Sequence, residues 1–120
     1  TILIAEDELL NFKLLDSLLK TTGAKILWAQ NGIEAVQQTI DNKVDLIFMD
    51  IKMPEMDGYE ATKQIKKMDP GIPIIAQTAF AFSNERNYIL QSGCDMYISK
   101  PINYSDLYKA LKIFLVGKKV

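Results

Sequence analysis

Histidine is missing altogether from the 120 residues. That absence removes imidazole as a general acid or base, as a metal ligand and as a phosphohistidine donor. Any metal held here is held by oxygen, which favours magnesium, with manganese as a substitute, over zinc. There is one cysteine, Cys94, so no internal disulfide can form, and a reducing cytoplasm is the expected compartment. Placed after Gly93, it reads as a small apolar residue rather than a reactive thiol. A formal net charge of -1 leaves no basic footprint for nucleic acid. No apolar run approaches the ~20 residues that span a bilayer. Nothing resembles a secretion signal, and no membrane contact by this segment is expected. The chain begins with Thr1 rather than Met and is expected to be cut from a longer protein.

What is present suits one domain over residues 1–120, with 48% apolar residues to fill a core. Short apolar runs recur at Ile2–Ala5, Ile26–Ala29, Leu46–Met49, Ile74–Ala76 and Met96–Ile98. They are continuous rather than alternating, as parallel strands covered on both faces require. Between them lie segments of helical spacing: Phe12, Leu15, Leu19; Ile33, Val36, Ile40; Ala61, Ile65, Met68; Leu107, Leu111, Phe114. The segment from Ser83 to Ser92 is the most polar of the expected helices. Gly23 and Gly93 stand where helices end. Asn31 with Glu34, and Asp57 with Glu60, match capping pairs. No internal linker or repeat interrupts the pattern. Strand–helix alternation predicts a five-stranded parallel sheet with helices on both faces. The expected strand order is 2-1-3-4-5, a flavodoxin-like three-layer α/β/α sandwich.

In such sheets ligands bind beyond the carboxyl ends of the strands, where the order reverses. Strand one is followed by Glu6 and Asp7, strand three by Asp50, strand four by Thr78 and Ala79, and strand five by Ser99, Lys100 and Pro101. Each alone carries little, since a strand-end Asp usually caps a helix and Lys-Pro usually makes a turn. Their convergence on one rim is what points to chemistry. Three crowded acids repel unless a cation joins them, and Mg²⁺ suits oxygen ligands of this kind. Asp50 then has the character of a nucleophile that forms an acyl phosphate. The metal, Lys100, Thr78 and the Ala79 backbone N–H would neutralise charge on the transferred group.

With these residues in place, the sequence resembles the receiver domain of bacterial two-component response regulators over essentially its whole length. The segments that carry the resemblance are Ile2 to Glu8, Leu46 to Gly58, Pro73 to Ala79 and Gly93 to Pro101. It implies that Asp50 accepts a phosphoryl group and that Asp7 ligates the metal directly. Glu6 would act mainly through water, and the Lys52 backbone carbonyl would complete the protein ligands. Thr78 and Lys100 would bind the phosphoryl group, and the Lys100–Pro101 peptide would be cis. The donor would be a phosphohistidine on a histidine kinase or a histidine phosphotransfer domain. Hydrolysis of the acyl phosphate would reset a conformational switch made of Thr78 and Tyr97. Such a chain phosphorylates and dephosphorylates itself and is no conventional turnover enzyme.

The acidic pair is Glu6-Asp7 where Asp-Asp is frequent in the family. Phe80, two residues after Thr78, flanks the expected water route and would slow hydrolysis. A flavodoxin would share the sheet, but acids at Glu6, Asp7 and Glu8 would repel a flavin phosphate. A haloacid-dehalogenase-type phosphatase would need an acid where Lys52 stands. A phosphorylation-independent receiver-like binding module is disfavoured because no expected site residue is missing. The wording of Gln77-Thr78-Ala79 and Ile98 to Ile102 resembles receivers of hybrid sensor histidine kinases. The expected parent is such a kinase, anchored in the inner membrane with this segment in the cytoplasm.

Overall fold

Each strand is short, but its side chains are sealed on both faces of the sheet, so apolar residues occupy consecutive positions. The computed structural model describes residues 1–79 and 83–114, excluding the side chains of residues 83–85. Along the chain run β1 (Ile2–Ala5), α1 (Leu9–Lys20), β2 (Ile26–Ala29), α2 (Gly32–Asp41) and β3 (Leu46–Asp50). They are followed by α3 (Gly58–Met68), β4 (Ile74–Thr78), α4 (Ser83–Gln91), β5 (Met96–Ser99) and α5 (Tyr104–Phe114). The sheet order is β2-β1-β3-β4-β5 and every pairing is parallel, as the alternation predicts. None of the described helices is long and apolar enough to cross a membrane.

Side-chain alternation divides the core into two layers. Leu3, Ile47, Met49 and Ala76 pack on the side of α2, α3 and α4, against Ala35, Ile65 and Ile89. Ile4, Phe48, Ile75 and Ile98 pack on the other side, against Leu15 and Leu19 of α1 and Leu107 and Leu111 of α5. Each fully buried Leu, Ile or Phe contributes about 1.5–3 kcal/mol of hydrophobic free energy. The central strands β1, β3 and β4 are buried at every position, whereas the edges β2 and β5 are only partly covered.

Helix α2 departs from its expected face. Ile33 and Ile40 are 51% and 58% exposed, and the buried residues are Gly32 and Ala35. The reason is steric: a Cβ on Gly32 would lie 2.2 Å from the Met56 carbonyl oxygen. The helix start sits so close to the β3–α3 loop that Gly32 has no room for a side chain, while Val36, one turn on, packs against the core as expected. Met68 of α3 is likewise turned outward at the helix end, while Ala61 and Ile65 are buried as expected. The polar segment from Ser83 is a helix, and it buries Ile89.

Capping follows the sequence pattern. Asn31 Oδ1 accepts from the Glu34 N–H at 2.8 Å and Asp57 Oδ1 from the Glu60 N–H at 3.0 Å. A third cap of the same type joins Asn103 Oδ1 to the Asp106 N–H at 2.8 Å. Such caps stabilise a helix by about 1 kcal/mol each. Gly23 and Gly93 take φ of +79° and +110° after α1 and α4, a region glycine enters without a Cβ clash.

Candidate functional site

The backbone ladder continues one residue past several strands, and this is what aligns the polar ends. The Glu6 N–H donates to Ala29 O at 2.9 Å, the Ile51 N–H to Gln77 O at 3.2 Å, and the Lys100 N–H to Thr78 O at 2.8 Å. Glu6, Asp50, Gln77, Thr78 and Lys100 therefore reach one rim in fixed register. Asp7, Glu8, Asp50, Lys52, Thr78, Ala79 and Lys100 border a cleft of about 340 Å³ there, with Gln77 in its wall.

Carboxylate oxygens of Glu6, Asp7 and Asp50 lie within 4.8 Å of one another. Glu6 is fully buried, Asp50 is buried, and Asp7 is exposed at the mouth. Lys100 supplies the nearby positive charge, with Nζ 3.2 Å from Glu6 Oε1 and 3.1 Å from Asp50 Oδ2. The Lys52 N–H donates to Asp50 Oδ1 at 3.2 Å, and the Glu8 N–H to Glu6 Oε2 at 3.1 Å. Glu6 Oε1 accepts no hydrogen bond, and the Lys100 ammonium stands 3.2 Å from it as an ion pair.

Burial, reinforced by the Asp50 carboxylate, pushes the Glu6 carboxyl up from 4.5 to about 7. Burial alone would lower Lys100, but the charges of Asp50 and Glu6 outweigh it and hold the ammonium above its usual range. Three carboxyl groups are thus gathered beside one ammonium. An all-oxygen set with one buried oxygen that accepts no hydrogen bond fits a hard divalent cation, for which Glu6, Asp7 and Asp50 are the available carboxylates.

Three supports of this arrangement were not evident from the sequence. The Trp28 indole N–H donates to the Glu6 carbonyl at 2.8 Å, and its ring stacks on Phe12 with centroids 4.3 Å apart. Gly58 opens α3 so close to Asp50 that a Cβ there would lie 2.3 Å from the Asp50 carbonyl oxygen. Its position directly after the Asp57 cap was the available signal. Gln77 is a buried polar residue inside an otherwise apolar strand, and that placement was its signal.

The remaining expected residues are distributed as follows. Thr78 is buried on the face of Ala76, and Ala79 is exposed at the rim. Tyr97 pairs with Ala76 in the ladder, is half-buried against the same layer, and accepts from Arg86 of α4 at 3.4 Å. Thr78 and Tyr97 therefore share one side of the sheet. The Lys100–Pro101 peptide is cis. Phe80 lies outside the described residues.

Comparison with known proteins agrees with this geometry. The family model described as the response regulator receiver domain matches residues 2–112. The polar-differentiation response regulator DivK of Brucella anthropi is 40% identical over 117 residues, covering 96% of this chain and 95% of that protein. The receiver domain of a sensor histidine kinase from Pseudomonas aeruginosa, crystallised with a magnesium ion coordinated in the active site cleft, superposes with a TM-score of 0.86. Its identity is 34%, over 94% of both chains. A co-crystal structure of the Saccharomyces cerevisiae phosphotransfer protein Ypd1 with the receiver domain of Ssk1 gives a TM-score of 0.92 at 30% identity. That match covers 99% of this chain and 90% of the other. With a family model spanning nearly the whole sequence and the same strand order in its relatives, the chain belongs to the response regulator receiver domain family and is a receiver of two-component phosphorelay signalling.

Proposed function

We propose that Asp50 is the phosphoacceptor of this receiver and that Glu6, Asp7 and the Lys52 carbonyl share with it the binding of one Mg²⁺. The observation that carries this reading is the buried Asp50 carboxylate, with Lys100 at 3.1 Å and two further acids within 4.8 Å. The bound cation would neutralise charge on the phosphoryl oxygens and on the crowded acids. Asp50 is held for attack by the Lys52 N–H on Oδ1, which leaves Oδ2 facing Lys100.

The donor is a phosphohistidine on a histidine kinase or phosphotransfer domain. The P–N bond breaks as a carboxylate oxygen of Asp50 forms the new P–O bond, and the departing imidazole nitrogen keeps the electron pair and takes a proton. Lys100, Thr78 and the Ala79 N–H bind the transferred oxygens, in line with the family's chemistry of positioning and charge neutralisation. The Ypd1 complex of the yeast relative supports a phosphotransfer partner. The magnesium in the Pseudomonas aeruginosa relative supports the cation.

Thr78 and Tyr97 form the switch: drawing Thr78 toward the phosphoryl group frees space into which Tyr97 turns, changing the α4–β5 surface. Similarity to the receiver of a sensor histidine kinase supports a hybrid-kinase parent, with this segment in the cytoplasm. Hydrolysis of the acyl phosphate resets the domain without turnover of a separate substrate.

The test is incubation with acetyl phosphate and Mg²⁺ followed by intact mass measurement. One labile phosphoryl adduct is expected, requiring the metal and lost in Asp50→Asn. An adduct of equal yield in Asp50→Asn, or none in the native chain, overturns the assignment.

A further inference from the structure

Gln77 is fully buried, and neither its Nε2 nor its Oε1 has a hydrogen-bond partner. Buried amides in folded proteins are almost always paired, so packing alone does not account for this side chain. Its place in the fold suggests what does. On β4, Gln77 pairs with Asp50 of β3 on one side and with Ile98 of β5 on the other. Alternation sets it on the face of Ile75, toward α1 and α5. Asp50, two residues beyond Phe48, and Lys100, two beyond Ile98, belong to the same face. Gln77 also borders the cleft that Asp50, Thr78 and Lys100 enclose.

Lys100 leaves the backbone beside β4, where its N–H is bonded to Thr78 O at 2.8 Å. Its ammonium nevertheless reaches Asp50 at the end of β3 and Glu6 beyond β1. In the order β1-β3-β4-β5 the side chain therefore spans the end of β4, the strand that carries Gln77. The amide and the ammonium thus border one cleft at the end of β4.

We propose that Gln77 is a positioning residue for Lys100. When a divalent cation takes the oxygens of Glu6 and Asp50, the ammonium that neutralised them is displaced, and Gln77 Oε1 accepts from it. An ammonium has three donors and no means of satisfying them on the apolar neighbours Ile75 and Ile98. The carboxamide keeps the charge above β4, facing the phosphoryl group on Asp50. This rests on the phosphoacceptor reading above and adds to it a residue that contacts neither metal nor donor.

Gln77→Met retains the side-chain volume and removes both polar atoms. With acetyl phosphate, its Mg²⁺-dependent phosphorylation is expected to be about tenfold slower, the effect of one hydrogen bond to a charged group. Its calorimetric Kd for Mg²⁺ is expected to change by less than about twofold, because Gln77 is no metal ligand. In a Lys100→Met background the same substitution is expected to change the rate by less than about twofold, since the group it acts through is gone. An unchanged rate in Gln77→Met overturns the proposal. So does a Mg²⁺ affinity that falls in step with the rate, or an undiminished effect in the Lys100→Met background. Failure of the native chain to form an adduct would sink the phosphoacceptor reading instead, so the two failures are distinct.

Discussion

The Lys100 ammonium lies 3.1 Å from Oδ2 of Asp50, although one residue follows β5 and the other ends β3. The contact spans β4 and makes Lys100 the counter-ion of the acidic cluster in the form described. A divalent cation that took these same oxygens would compete with the lysine for them.

Lys100→Met should therefore separate affinity from chemistry. Without the competing ammonium, Mg²⁺ is expected to bind severalfold more tightly, as read by calorimetry. Phosphorylation by acetyl phosphate should slow by about 10²-fold, the usual scale for losing one group that stabilises transition-state charge. A weaker Mg²⁺ affinity in this variant would contradict the competition.

Stability of the metal-free chain should fall as pH rises. The folded state raises Glu6 from 4.5 to about 7, so it binds the proton more tightly than the unfolded chain does. The contribution of Glu6 is fully present below pH 4.5, declines above it and is gone beyond about pH 7. The full swing is at most about 3 kcal/mol. Mg²⁺ bound to the carboxylate reverses the trend, so the metal should raise Tm more at pH 8 than at pH 5.5. Equal increments of Tm at the two pH values would contradict the linkage.

Two glycine substitutions should fail for different reasons. In Gly58→Ala the new Cβ would meet the Asp50 carbonyl oxygen at 2.3 Å, forcing the start of α3 away from the acceptor. A loss of about 1–3 kcal/mol in urea denaturation is expected, together with slower phosphorylation. Gly23 has φ of +79°, and a methyl added there would meet nothing within 4 Å, so Gly23→Ala carries only backbone strain. It should cost about 1–2 kcal/mol and leave the phosphorylation rate unchanged.

The hydrogen bond from Arg86 to the Tyr97 hydroxyl holds the tyrosine toward α4. At 3.4 Å and in an exposed setting it is weak. If inward rotation of Tyr97 accompanies phosphorylation, Arg86→Ala should favour the inward form and speed adduct formation by at most about threefold. Slower formation would argue that Arg86 supports the phosphorylated state instead.

Much of this was legible in the chain itself. The caps at Asn31 and Asp57 and the turns at Gly23 and Gly93 depend on residues close in sequence, and local chemistry specifies them. The buried faces of α1 and α5 were equally plain from Leu15, Leu19, Leu107 and Leu111. The face of α2 was misread because Ile33 and Ile40 carry the stronger apolar pattern, yet the close approach of Met56 to Gly32 leaves no room for a side chain at the helix start. That distance depends on how the β3–α3 loop folds over, which periodicity does not encode. Trp28 looked like an ordinary strand residue because its partner, the Glu6 carbonyl, is a backbone atom on the neighbouring strand.

By itself the sequence determined the alternation of strands and helices, the all-oxygen character of any metal site, and the set of polar residues that end the strands. Those properties follow from composition and from spacing along one chain. Only the tertiary structure decided that Lys100 reaches past the end of β4 to pair with Asp50 and Glu6, that burial pushes the Glu6 carboxyl up to about 7, and that the Gln77 amide is enclosed without a partner. Charge coupling and burial arise from register between strands distant in sequence, and they exist once the sheet has closed around the site.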